Sequence, residues 1–257
     1  MKPLKNYIQE KLIIKKYTTK KSKATNYNYF PQTKDELKDI ILLRIKEKGN
    51  KVYLNDIDTS NITDMSDLFY GTDFNGDISE WDVSNVTDMS YMFADCENFN
   101  QDISNWDVSK VKNMNRLFKG CVSFNQDISS WDVSNVIDMY AMFNACKSFN
   151  QDISKWDVSN VKDMSSMFYK CESFNQDISN WDVSNVKRMA GMFYNCKKFN
   201  QDISSWDVSN VDSMSRMFYM CESFNQDISN WDVSNVKFFD YIFSNCYIEE
   251  KYKPNFK

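Results

Sequence analysis

The chain reads as an α/β repeat protein, a solenoid of about eight 25-residue strand-turn-helix coils with an N-terminal capping helix. Three observations lead there. Trp recurs at 81, 106, 131, 156, 181, 206 and 231 and Cys at 96, 121, 146, 171, 196, 221 and 246, and neither residue occurs anywhere else. Within each unit a short alternating stretch precedes apolar residues at helical spacing. A unit this small has too few apolar side chains to offset the entropy of ordering it, so neighbouring units must share faces.

Composition narrows the function. Of 257 residues, 42% are apolar, 16% aromatic and 26% charged, with 5 Gly and no His. That excludes collagen and wholesale disorder. Lacking His, the chain has no Ser-His or Cys-His nucleophile pair and no His-containing zinc site. Residues 1–51 hold 14 Lys/Arg against 5 Asp/Glu, and the remainder 17 against 31, within a net charge of −5. An acidic body repels phosphates, so no nucleic-acid partner is expected.

Residues 1–32 read as a basic, partly flexible leader. Their longest early apolar run is Leu12-Ile13-Ile14, far short of the roughly 7–15 residues of a secretory signal. No window approaches the roughly 18–20 apolar residues of a membrane span. Residues 33–50 form the cap: Thr33-Lys34-Asp35-Glu36 has capping-box form, Leu37, Ile40, Ile41 and Ile45 make an apolar stripe, and Gly49 stops the run. The expected helix covers 34–48 and closes the open side of the first coil.

Residues 51–247 are the repeats. In the first unit Ile57 stands in the Trp place and Thr72 in the Cys place; in the last, Phe239 and Ile242 replace two methionines. In the unit opening at Phe149, the positions Phe149, Ile153, Trp156 and Val158 suit a strand with a turn or bulge before Trp156. From Asn160, a candidate N-cap, Val161, Met164, Met167, Phe168 and Cys171 fall on one face of a short helix. Residues 248–257 are a C-terminal tail.

The Trp, Phe and Met columns read as core. Each Cys shares that apolar face and reads as a buried free thiol, since no C-x-x-C pair is present. Asn100 and its equivalents to Asn225 suit a ladder that bonds turn backbone. The Asp columns, Asp77 to Asp227 and Asp82 to Asp232, suit turn caps, with calcium bridging as the alternative. No polar constellation stands apart from the repeats, so neither catalytic residues nor a cofactor is expected. Positions that differ between units mark the outward surface. The column before Trp, namely Glu80, Asn105, Ser130, Lys155, Asn180, Ser205 and Asn230, is the candidate partner-binding set. Further variation falls at Tyr91, Asn115-Arg116, Tyr140-Ala141, Ser165-Ser166, Ala190-Gly191 and Ser215-Arg216.

The unit FNQDISxWDVSNVxxMxxMFxxC, the Asn55–Met65 segment and the preceding TKDELKDI helix resemble the BspA-like leucine-rich-repeat proteins, in their 25-residue branch, over roughly residues 31–247. The resemblance implies a right-handed leucine-rich-repeat-type solenoid that binds proteins or host surfaces, often as a bacterial surface protein. It implies a cell-surface or extracellular place; the lack of a visible export signal or lipid-attachment Cys leaves an intracellular or phage-borne one open. The expected function is a non-enzymatic, monomeric interaction or adhesion module that binds a protein or glycan through its repeated surface. The alternative is a calcium-stabilised structural array.

Overall fold

A computed structural model describes residues 27–256. Its first element, α1, spans Lys34–Lys48, the limits the capping pattern set. The Thr33 side chain accepts from the Glu36 N–H, and Gly49, at φ 84°, returns its own N–H to Ile45 O. Leu37, Ile40 and Ile41 are buried against the first coil. Arg44, also buried, reaches Asp56 at 2.9 Å and the Tyr53 carbonyl at 2.9 Å. Lys38 pairs with Asp67 at 2.6 Å. The helix therefore closes the first side of the stack. Of the leader, residues 1–26 lie outside the described residues; Tyr29 bridges to Ile57.

The repeats stack in register. Parallel bridges join Asp64, Asp88, Asn113, Asp138, Asp163, Arg188, Ser213 and Phe238 in succession, one per coil, which gives eight coils. The Trp, Phe, Met and Ile columns fill one shared core: Trp156 is 4% exposed, and Met164, Met167, Phe168 and Cys171 are fully buried. Phe143 and Phe168 stack at 5.8 Å, and Trp181 and Trp206 at 6.5 Å with planes 2° apart.

The coils are not strand-turn-helix units, and the chain is not the right-handed leucine-rich-repeat solenoid expected. Among the described residues the only helical elements are α1 and a 3-10 turn at Glu250–Tyr252, and no strand or sheet forms. The reason lies in where the N–H groups go. In the segment read as a helix, Met164, Ser166, Phe168 and Lys170 donate outward to Arg188, Ala190, Met192 and Tyr194 of the next coil, at 2.7–3.0 Å. The alternate residues Met167, Tyr169 and Cys171 donate back three positions, to Met164, Ser166 and Phe168. An α-helix would send each of these N–H groups four residues back within its own coil. Ser166 and Lys170 also sit at φ 55° and 58°, the left-handed region that no α-helix contains. Packing agrees. Adjacent helices need about 8–10 Å between axes, whereas equivalent rings of successive coils lie only 4.3–6.5 Å apart.

The half read as a strand is interrupted by turns. Ser154 N–H bonds to Asp152 Oδ1, Trp156 N–H to Ile153 O, and Ser159 N–H to Asp157 Oδ1. Coils are joined there by side chains: Asn150 N–H to Asn125 Oδ1 at 2.9 Å, Trp156 Nε1 to Ile128 O at 3.1 Å, and Asn160 Nδ2 to Ser134 O at 2.8 Å. The last coil is met by the chain's own end. Ile228 N–H bonds to Tyr252 O, and Phe256 stacks on Phe239 at 5.2 Å.

Candidate functional site

The column before Trp lies where the variation placed it, at the surface. Glu80, Asn105, Ser130, Lys155, Asn180, Ser205 and Asn230 are all exposed. Several are occupied in stitching coils together: Ser130 Oγ donates to Ser104 O, Ser205 Oγ to Ser179 O and Asn230 Nδ2 to Ser204 O. None of the seven borders either of the two cavities described below.

Part of the second variable set does, namely Ser166, Ala190, Gly191, Ser215 and Arg216. Its central column runs Tyr91, Arg116, Ala141, Ser166, Gly191, Arg216 and Tyr241, every member at φ between 53° and 63°. Left-handed backbone at a non-glycine residue costs about 1–3 kcal/mol. It persists here because each of these residues sends its N–H to the next coil, Tyr241 in the last coil excepted. Side chains on this column project where size varies most. Arg116 lies between the Tyr91 and Tyr140 rings, 4.9 and 4.4 Å from their centroids. The following three positions, Ala141, Ser166 and Gly191, are small, and Arg216 with Tyr241 restores bulk. A Cβ on Gly191 would only touch Ser166 and Tyr169, at 3.5 and 3.8 Å. Glycine there leaves room.

Beside the small residues stands a ladder of tyrosines at the same 25-residue step. Tyr169 and Tyr194 stack at 4.3 Å, and Tyr194 and Tyr219 at 4.8 Å, with planes 18° and 12° apart. Between ladder and floor lies a groove of about 630 Å³, bordered by Ser166, Tyr169, Gly191, Tyr194, Ser215, Arg216, Tyr219 and Tyr241 among others. Arg216 is its one charged lining residue. Burial and the adjacent Tyr169 phenol push the Tyr194 phenol above its ordinary range, so it stays a neutral hydrogen-bonding group near neutral pH. A smaller cavity of about 230 Å³ lies by Trp231 and Asn255 in the last coil.

The columns weighed for metal or redox chemistry are engaged elsewhere. Six cysteines are buried and Cys246 is partly so, and all seven are free thiols. Cys171 Sγ donates to Phe143 O at 2.9 Å, and burial raises these thiols, Cys96 to about 11. The Asp carboxylates cap their own turns: Asp152 accepts the Ser154 N–H at 2.9 Å, and that bond holds its pKa below the usual range. Among the described residues no three His, Cys, Asp or Glu side chains gather as a metal site. No helix among them is long and apolar enough to cross a membrane.

A stack of near-identical turn-built coils with one aromatic-walled groove defines a tandem-repeat protein. The chain belongs to the family described as Mycoplasma protein of unknown function, DUF285, which matches residues 43–156 and 137–254. Comparison with curated proteins and with solved structures finds no match.

The sequence offered a signal for the groove. Tyrosines at 169, 194 and 219 share the repeat step and neighbour the variable column. The column before Trp varies equally, and only the backbone separates the flat row from the hollow one.

Proposed function

We propose that this protein is a non-enzymatic interaction module that holds a protein or glycan partner in the tyrosine-lined groove of its repeat stack. The observation that carries this is the groove itself: about 630 Å³ of concave surface with stacked aromatic walls and one arginine. Binding sites are characteristically concave, with aromatic walls and a few fixed polar groups. Tyr and Arg are the residues that dominate binding energy at interfaces. Repeat proteins present such surfaces at little structural cost, because exposed positions vary while the shared core stays fixed. The resemblance of the unit to BspA-like repeats supports the adhesion side of this reading.

The test is a protein and glycan array probed with the full chain and two variants. Tyr169→Asn/Tyr194→Asn/Tyr219→Asn uses the residue that the same column already carries at Asn144. Glu80→Asn/Lys155→Asn uses the residue found at Asn105. Binding by wild type and by the second variant, lost in the first, supports the groove. Binding that survives the tyrosine changes and follows Glu80 and Lys155 would transfer the function to the column before Trp.

A further inference from the structure

The tyrosine ladder stops one coil short. Tyr169, Tyr194 and Tyr219 occupy three successive coils, and the equivalent place in the last coil is Ser244. Tyr194 covers one face of Tyr219, and among the described residues no ring covers the other. Ser215, Arg216 and Tyr241 border the same groove as Tyr219, and Tyr241 is 63% exposed. The Arg216 guanidinium carbon sits 5.8 Å from the Tyr241 ring centroid. Among the described residues it has no carboxylate partner, unlike Arg188 on Asp163 or Arg44 on Asp56.

From this slot, and resting on the reading of the groove as the interaction site, we propose that the occupant is an acidic saccharide. One of its rings takes the place of the missing fourth tyrosine on Tyr219, and its carboxylate is held by Arg216. A single open aromatic face, with its negative quadrupole, attracts the C–H groups along one side of a pyranose ring. The serine and tyrosine hydroxyls around it match a hydroxylated rim. The planar fork of Arg pairs a carboxylate through two parallel N–H bonds. Two other polymers fit less well. An extended peptide repeats every 3.3 Å or so, out of step with rings 4.8 Å apart. A nucleic acid carries a charge at every phosphate, so the acidic body repels it far more strongly than a saccharide that presents one carboxylate to Arg216.

The experiment is calorimetric titration of the full chain with sialyllactose and a hyaluronan tetrasaccharide as acidic probes and lactose as the neutral one. An acidic probe is expected to bind about tenfold or more tighter than lactose, the gain of one charge-assisted contact. Arg216→Gln is expected to erase that preference. Ser244→Tyr completes the ladder with a residue the neighbouring coils already accommodate, so it is expected to abolish saccharide binding without lowering the melting temperature. Equal binding of neutral and acidic probes, binding that survives Ser244→Tyr, or no saccharide binding at all would each overturn the proposal. If saccharides fail while the array partner is still lost in the triple tyrosine variant, the ligand class falls and the groove stands. If the array partner also survives that variant, both fall.

Discussion

Replacing Trp156 by alanine removes an indole that is 4% exposed, lies 6.2 Å from the Phe143 ring and donates to Ile128 O of the preceding coil at 3.1 Å. Truncating a large core aromatic costs about 3–5 kcal/mol. Part of that is the carbonyl left without its donor, about 1–3 kcal/mol when the site stays buried. Trp156→Phe separates the two contributions, because it keeps a ring in the core and loses only the N–H bond and some area. With a urea m-value of about 2–3 kcal/mol/M, the alanine variant should unfold roughly 1–2 M earlier. The phenylalanine variant should fall between it and wild type. Urea titration followed by tryptophan fluorescence and circular dichroism gives both midpoints. Unchanged midpoints, or a phenylalanine variant as unstable as the alanine one, would show that the indole column does not tie the coils together in this way.

Deleting residues 150–174 as a block joins Phe149 to Asn175 and restores the unit sequence; the product should fold with a lower melting temperature, and a failure to fold would contradict nearest-neighbour stabilisation. The buried thiols are raised by burial, so the unfolded chain ionises first. Their contribution is full below about pH 8.5 and lost as pH rises above it; the urea midpoint should therefore drop between pH 8 and 10, by less in Cys171→Ala, and a midpoint flat to pH 10 would refute this. The turn-capping carboxylates, Asp102, Asp127, Asp152 and Asp177, are lowered mainly by bonds from serine N–H groups. They add the opposite limb, with stability present above about pH 4 and lost as pH falls further; no loss of midpoint between pH 5 and 2.5 would contradict it. Millimolar calcium should leave the melting temperature unchanged, and a rise would place an ion on the Asp columns.

The register of the stack and the depth of its core were readable because each is a property of residue type at fixed spacing. Trp156, Phe168 and Cys171 are buried wherever the chain between them turns, and Thr33 and Gly49 mark the limits of α1 by their own bonds. The path of the backbone was not readable in the same way. Apolar residues three apart at Val161, Met164 and Met167 suit an α-helix, and they suit equally a run of tight turns that gives every second N–H to the next coil. One clue distinguished them. Gly191 shares the column of Ser166, and Gly120 that of Lys170, both at positive φ. Glycine weakens a helix interior by about 1 kcal/mol, yet it is favoured where the backbone must be left-handed. The groove was hidden for a related reason: its hollow lies over small residues, Ser166 and Gly191, that align across coils, which follows from the turn geometry rather than from any one unit.

The hydrogen bond of the Ser166 amide decides between the two backbones. Cross-coil stacking places its acceptor at Ala190 O, 2.8 Å away in the following coil, so an NMR experiment that detects scalar coupling through hydrogen bonds should link Ser166 N to the Ala190 carbonyl carbon. A coupling from Ser166 N to the Lys162 carbonyl carbon instead would mean a helix in every coil, and the turn-built stack would be wrong.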